Sequence, residues 1–327
     1  MKELTQNNNV FSINKLTLLV FLFSNLFNCY SQNFIRNNEW KKYKNEFTFG
    51  FGPSNFLGDL GGLNRVGTDF SPVDLEFKQT SMSVSLGYKY KIQKWLNFCF
   101  DLSYLKVRGD DKLTTEPFRN NRNLNFKSRI FETDIRLELL YMHNAVGNRY
   151  KIKRTLKNRM KTKSYDISGF IGVGGFYFNP YGLDKNGKWH QLKPLRTEGQ
   201  GLPGGPKPYS NYAICIPMGI GFHYYIDRKW SVGIEFNYRK TFTDYIDDVS
   251  TVYYDKAELK RLVGPKAVEM ADPSKGVISG ATLPDASGGA AQRGDINKDS
   301  YMSLQVKVGY ILKKSRKRKK VKLRSKF

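Results

Sequence analysis

The chain has 327 residues, 40% of them apolar, and a formal net charge of +25. That length admits one large or two ordinary domains and so leaves an enzyme open. The 20 Tyr, 23 Phe and 29 Gly suit a glycine-punctuated β protein, and the absence of any CxxC or Cys/His cluster argues against a structural zinc site.

At the N-terminus Lys2 and Lys15 precede the apolar run "LTLLVFLFSNLF" at 16–27, then Cys29, Tyr30 and Ser31. A charged stretch, a short apolar core and small residues before Gln32 predict a secretory signal cleaved after Ser31. A membrane anchor would need roughly 20 apolar residues. A lipoprotein site at "LFNC" would need smaller residues than Phe27 and Asn28. Cleavage leaves Cys99 and Cys215, both inside predicted strands, where geometry decides pairing; they are read as unpaired.

Eight alternating runs follow, at 46–52, 81–92, 95–107, 128–142, 164–178, 212–226, 230–242 and 300–312. In the second, Met82, Val84, Leu86, Tyr88 and Tyr90 oppose Ser83, Ser85, Gly87, Lys89 and Lys91. In the fourth, Phe131, Ile135, Leu137, Leu139 and Tyr141 oppose Glu132, Asp134, Arg136 and Glu138. Period-two alternation alone reports one dry and one wet face. Runs of about 10 residues, with aromatics near their ends, predict tilted membrane-spanning strands rather than a soluble sandwich. Short connections at 93–94 and 227–229 alternate with long ones at 53–80, 108–127, 179–211 and 243–299, as in a barrel with periplasmic turns and external loops. The 143–163 connection is on the turn side but is too long for a turn.

The fold class expected is therefore all-β: an eight-stranded antiparallel transmembrane β-barrel with long external loops and a basic C-terminal tail. Such a barrel has a side-chain-filled interior. Its inward charges, Lys89, Asp101, Glu132, Asp134, Arg136, Glu138, Glu235, Arg239 and Lys307, are expected to neutralise one another in the lumen.

Candidate chemistry is sparse. His143, His190 and His223 are the only histidines, and no Ser-His-acid set assembles on one rim, so no catalytic residues, metal ligands or cofactor are expected. "GDINKDS" places Asp295, Asn297 and Asp299 as a calcium loop begins, but the central Gly and distal Glu are missing. Charge is the stronger signal. Residues 149–163 hold Arg149, Lys151, Lys153, Arg154, Lys157, Arg159, Lys161 and Lys163 with no acid, and the tail 313–327 holds ten more cations, among them Lys317, Arg318, Lys319 and Lys320. Both are expected on the periplasmic side, where nucleic acid is absent. An acidic protein partner, anionic lipids or wall polymers, or unpartnered charge remain the readings.

"FGPSNFLGDLGG" at 51–62 and "RKTFTDYIDDVSTVYYD" at 239–255, with the loop stretch "AVEMADPS" at 267–274, resemble the PorG-type outer-membrane barrels of the Bacteroidetes. The resemblance covers nearly all the mature chain. It implies a non-enzymatic subunit of the type IX protein secretion apparatus that organises a periplasmic ring of PorK and PorN type, embedded in outer-membrane lipids. The family loop motifs would carry Gly58, Asp59, Gly61, Gly62, Asp244, Tyr245, Asp247 and Asp248, with the three later acids on the outer rim either bracketing the loop or facing a partner. The cations Arg149, Lys151, Lys153, Arg154, Lys317, Arg318, Lys319 and Lys320 are the expected partner contact. The alternative is a stand-alone surface barrel for adhesion or envelope integrity. The expected division is a signal peptide at 1–31, a periplasmic arm at 32–45, the barrel at 46–312 and the basic tail at 313–327.

Overall fold

The structure, a computed structural model, describes residues 38–60, 79–114, 117–143, 164–227, 229–276, 293–294 and 297–313. The signal peptide, the 144–163 connection and the basic tail beyond Lys313 lie outside the described residues. The strands are β1 (Asn45–Leu57), β2 (Ser81–Lys91), β3 (Leu96–Asp110), β4 (Asn125–His143), β5 (Ser164–Leu183), β6 (Trp189–Gln191), β7 (Tyr212–Tyr225), β8 (Trp230–Thr241) and β9 (Ser300–Leu312). All but β6 form one antiparallel ring in the order β1-β2-β3-β4-β5-β7-β8-β9, closed where Asn45 of β1 pairs with Leu312 of β9. Each of the eight has a partner on both sides, so the ring leaves no edge strand to be covered.

Alternation sets the two faces as the sequence predicts. Met82 and Leu86 on β2, Ile135 and Leu139 on β4, and Ile171 and Val173 on β5 all stand more than half exposed on the outer wall, far too apolar for water. Their neighbours Ser83, Ser85, Glu132, Asp134 and Arg136 are buried inside. Aromatic pairs ring both ends of the apolar band. Phe47 with Tyr88 (5.3 Å), Tyr165 with Phe222 (5.9 Å) and Trp230 with Tyr310 (4.9 Å) lie at the turn end. Tyr104 with Phe131 (4.9 Å) and Tyr177 with Tyr212 (5.2 Å) lie at the loop end. An apolar outer band between aromatic girdles on a closed antiparallel ring is the construction of an outer-membrane barrel. No helix among the described residues is long and apolar enough to cross a membrane.

The tight turns follow from local chemistry. Asp227 Oδ1 accepts from the backbone N–H of Lys229 (2.6 Å) and of Trp230 (2.7 Å), an Asx turn that reverses β7 into β8. On the opposite end the strands overrun the predicted boundaries: β1 continues to Leu57, β3 to Asp110 and β5 to Leu183, while β4 begins at Asn125. Above the girdle the inner face turns apolar, and Phe56, Leu105, Val107, Phe126, Ile130 and Phe178 pack against loop residues Leu60, Leu192, Ile246, Val249 and Met270. An extra strand, β6, lies within the predicted 179–211 connection and pairs only with the overrun of β5. Three short helices sit in the loops: α1 (Pro117–Arg122), α2 (Lys256–Leu262) and α3 (Pro265–Ala271). Asp255 caps α2 by accepting from Glu258 N, and Pro265 opens α3, which contains the start of the "AVEMADPS" stretch.

Candidate functional site

The barrel interior is built in layers along β4. Nearest the turns, Glu138 accepts from Lys89 Nζ (3.0 Å), Asn97 Nδ2 (2.9 Å) and Ser168 Oγ (2.8 Å), and Lys89 Nζ also lies 3.3 Å from His223 Nε2. In the middle, Arg136 bonds Asp101 and, at 2.8 Å, Glu235, while Lys307 bridges the same two acids at 3.1 and 2.8 Å. Asp134 Oδ1 lies 2.9 Å from Arg136 Nε but without the alignment of a hydrogen bond. Nearest the loops, Glu132 takes Arg239 Nε (3.1 Å) and the Tyr301 hydroxyl (3.2 Å), and Arg239 Nη1 donates to Ser303 Oγ at 2.5 Å.

These bonds cross the lumen: β2 to β4 and β7, β4 to β8, β9 to β3. Among the described residues, side chains that meet from opposing walls fill the lumen at each of these levels. Glycine makes the room. A Cβ at Gly172 would sit 2.7 Å from Arg136 Cγ, so β5 leaves room for the stem of that side chain, whose guanidinium carbon lies 4.4 Å from the Phe170 ring centroid. All nine charged residues predicted for the lumen are there and buried. Cys99 and Cys215 are also inside, unpaired.

Above this column the two motif-bearing loops come together. Asp244, Asp247 and Asp248 are not presented to solvent on the rim: all three are buried beneath the external loops. Asp299, immediately before β9, accepts from Ile246 N (2.9 Å), which draws the post-β8 loop over the barrel mouth. Asp247 Oδ1 accepts from Val249 N (3.0 Å), and Asp244 Oδ2 accepts from Ser250 Oγ (2.7 Å). Asp248 occupies the left-handed region (φ 64°), which Asp tolerates better than most residues, and accepts from Thr197 Oγ1 (2.5 Å) and the Tyr209 hydroxyl (2.6 Å). The Tyr209 ring stacks on Tyr245 with centroids 4.6 Å apart.

Two arginines that spacing did not single out, the buried Arg293 and the partly buried Arg122, hold the cap. Arg122 grips Asp111 with two bonds (2.7 and 3.0 Å) and donates to Asp59 O (2.8 Å) and Arg293 O (2.6 Å). Arg293 donates to Glu198 Oε1 (2.9 Å), Asp248 O (2.6 Å) and Ala271 O (3.2 Å). Four loops are thus tied by two guanidiniums. At the periphery Asp184 gathers Lys266 Nζ (2.9 Å), His190 Nε2 (2.8 Å) and the N–H groups of Asn186 and Lys188.

Burial dominates the acids of the cap. It raises Asp244 to about 7 with Asp59 adding to it, and it raises Asp248 to about 6 against the pull of Arg293. Burial lifts Asp247 and Asp299 well above the carboxylate range, with Asp59 the next contributor at Asp247 and Asp247 itself the next at Asp299. Asp184 moves the other way, held low by Lys266.

Of the motif residues, Gly58, Asp59, Asp244, Tyr245, Asp247 and Asp248 are in this cap region, whereas Gly61 and Gly62 lie outside the described residues. So do the expected partner cations Arg149, Lys151, Lys153, Arg154, Lys317, Arg318, Lys319 and Lys320, and Asp295 of the calcium-like stretch. Among the described residues no group of three or more His, Cys, Asp or Glu is arranged to hold a metal ion. His190 belongs to the external loops and His223 to the turn-side lumen, so those two histidines serve opposite ends of the barrel.

No protein-family model matches the chain, and no curated protein matches it. Among solved structures it is similar to Neisserial surface protein A, at 7% identity over 81% of this chain and 96% of that one, with a TM-score of 0.34. The outer membrane protein OprG from Pseudomonas aeruginosa is similar at 7% identity, 83% and 98% coverage and a TM-score of 0.34. The outer membrane protein AlkL in lipid bilayers is similar at 10% identity, 88% and 100% coverage and a TM-score of 0.33.

Proposed function

We propose that this barrel is a non-enzymatic subunit of the type IX protein secretion apparatus, anchoring or organising a periplasmic ring of PorK and PorN type. The observation that carries the reading is the lumen crossed wall to wall by buried ion pairs. A barrel closed in this way works through its rims rather than its bore. On the turn-side rim the chain leaves β4 at His143 and re-enters at Ser164, and leaves β9 at Leu312. The basic 149–163 segment and the 313–327 tail are attached there. Eighteen like charges at one membrane face favour an acidic partner, with an attraction screened over about 8 Å at physiological salt.

The experiment is co-purification from membranes across a salt series. Replacing Lys317, Arg318, Lys319 and Lys320 with Gln, and separately Arg149, Lys151, Lys153 and Arg154, should leave the barrel heat-modifiable on gels. At least one variant should lose ring components, and wild-type recovery should fall as salt rises. Retention of the ring by both variants would remove the basic segments from the contact. Absence of ring components from the wild-type eluate would favour the second reading, a stand-alone surface barrel. The stitched cap supports that second reading, because Arg122 and Arg293 hold its external loops in one arrangement.

A further inference from the structure

The outer wall carries a charge cluster that neither the lumen nor the cap uses. Just above the loop-side pair Tyr104 and Phe131, the outward positions of β3 and β4 are Lys106, Arg108, Lys127 and Arg129. The register sets Lys106 directly opposite Arg129 and Arg108 directly opposite Lys127. Like charges facing each other across an antiparallel pair, with Cβ atoms about 5 Å apart, destabilise a sheet. Among the described residues none of the four lies within 4.0 Å of a carboxylate. Asp110, the next outward residue on β3, turns its Oδ1 to Lys112 N at 2.9 Å.

Three of the side chains are nonetheless held in place. Arg108 donates to Gln79 O (3.2 Å) and Thr80 O (2.8 Å), Lys127 Nζ lies 3.6 Å from the Trp189 ring centroid, and Lys106 Nζ lies 6.0 Å from that of Tyr104. The cluster is confined to one sector. The outward residues beside it are Met82 on β2, Pro53 opposite that on β1, and Asn179 and Tyr181 opposite Arg129 and Lys127 on β5, none of them a cation. A general preference for cations at the headgroup level would have spread around the ring.

We propose that this four-cation patch is a binding site for the sugar-linked phosphates of an outer-leaflet glycolipid, its acyl chains lying on the apolar wall below. The position decides the ligand class. The patch faces lipid rather than the lumen, and it begins where the girdle marks the end of the hydrocarbon layer, the depth at which glycolipid phosphates lie. Four cations in a rectangle can share charge-assisted bonds with one or two phosphate groups, and a bound phosphate removes the like-charge opposition.

The test uses the purified full-length barrel in mild detergent, with diphosphoryl lipid A, its enzymatically dephosphorylated form and phosphatidylglycerol as probes, and native mass spectrometry as readout. Wild type should bind diphosphoryl lipid A, and removing its phosphates should weaken binding about a hundredfold at low salt. The K106Q/R108Q/K127Q/R129Q variant should lose a similar factor, whereas K94Q/K229Q on the turn side should lose none. Equal binding of phosphorylated and dephosphorylated lipid, or unchanged binding by the fourfold variant, would overturn the site. Competition by phosphatidylglycerol at equal concentration would overturn the glycolipid assignment. Should the fourfold variant fail to give a heat-modifiable barrel, the dephosphorylation arm on wild type decides alone.

Discussion

Below the loop-side girdle the barrel wall is apolar outside and charged inside, and above it, on β3 and β4, the faces trade places. On β4, Phe131 points to lipid and Glu132 to the lumen, yet two residues earlier Arg129 points outward and Ile130 inward. The strand does not change at this boundary, but the solvent does. In hydrocarbon the outer face must be apolar, so the inner face takes the charges and pairs them, whereas beyond the hydrocarbon layer the outer face is free to be basic and the inner face becomes an ordinary core. The lumen is consequently held by ion pairs in a confined space, while the cap is held by apolar packing of Phe56, Phe126, Phe178 and Ile246 plus the two arginines Arg122 and Arg293.

The two regions should fail differently. The largest effect is expected from Arg136→Leu, which leaves Asp101 and Glu235 sharing Lys307 alone. Breaking a buried ion network by removing one partner costs about 3–5 kcal/mol. Urea unfolding of the refolded barrel should show that loss across the whole transition, and Arg136→Lys should recover part of it. An Arg136→Leu barrel with wild-type urea stability would show that the lumenal pairs are incidental.

A smaller and local effect is expected from Arg293→Met, which removes the cation from Glu198, whose Oε1 keeps Ser250 N (2.8 Å), and orphans the carbonyls of Asp248 and Ala271. The penalty, about 3 kcal/mol at most for a buried pair with remaining partners, should open the cap without unfolding the ring. Limited proteolysis should then cut the 184–211 and 242–276 loops faster while heat-modifiability persists. Loss of both together would join cap and lumen into one cooperative unit.

The smallest effect is on pH. Asp244 and Asp248 hold their protons to about 7 and about 6 in the folded cap, above the ordinary value of 3.8. Raised carboxyl values mean that the folded state binds more protons than the unfolded one, so cap stability is greatest in acid and falls as pH climbs from about 4 through 7. Proteolytic cutting of these loops should be severalfold slower at pH 5 than at pH 8 after correction for protease activity, and Asp244→Asn should narrow the difference. A cap that loosens in acid would reverse the assignment. The lumen is stitched by formal ion pairs, so its urea midpoint is the reference for separating the two regions.

The membrane part of this architecture is legible in the chain because period-two alternation is a local signal, and each strand from Met82 to Tyr90 or Phe131 to Tyr141 declares both faces by itself. The nine lumenal charges follow from the same alternation. The overrun of β1, β3 and β5 is not legible, because above the girdle the alternation inverts, and a stretch such as Leu105 to Arg108 fits a loop as well as a strand. The cap is less legible still. Arg293 finds Glu198 and Arg122 finds Asp59 across stretches of 95 and 63 residues, and nothing in their neighbours' spacing marks either arginine. The burial of Asp247 and Asp248 was open for the same reason: a polar run after a strand is compatible with solvent until the loop that covers it is known.

The closed lumen is the premise of the whole account, and single-channel recording in planar bilayers tests it most directly. Wild-type barrel should insert without producing resolvable conductance steps, because Arg136, Glu235, Lys307 and Asp101 meet across the bore. Stable, ohmic steps from the purified, heat-modifiable wild-type protein would contradict it and make the barrel a pore.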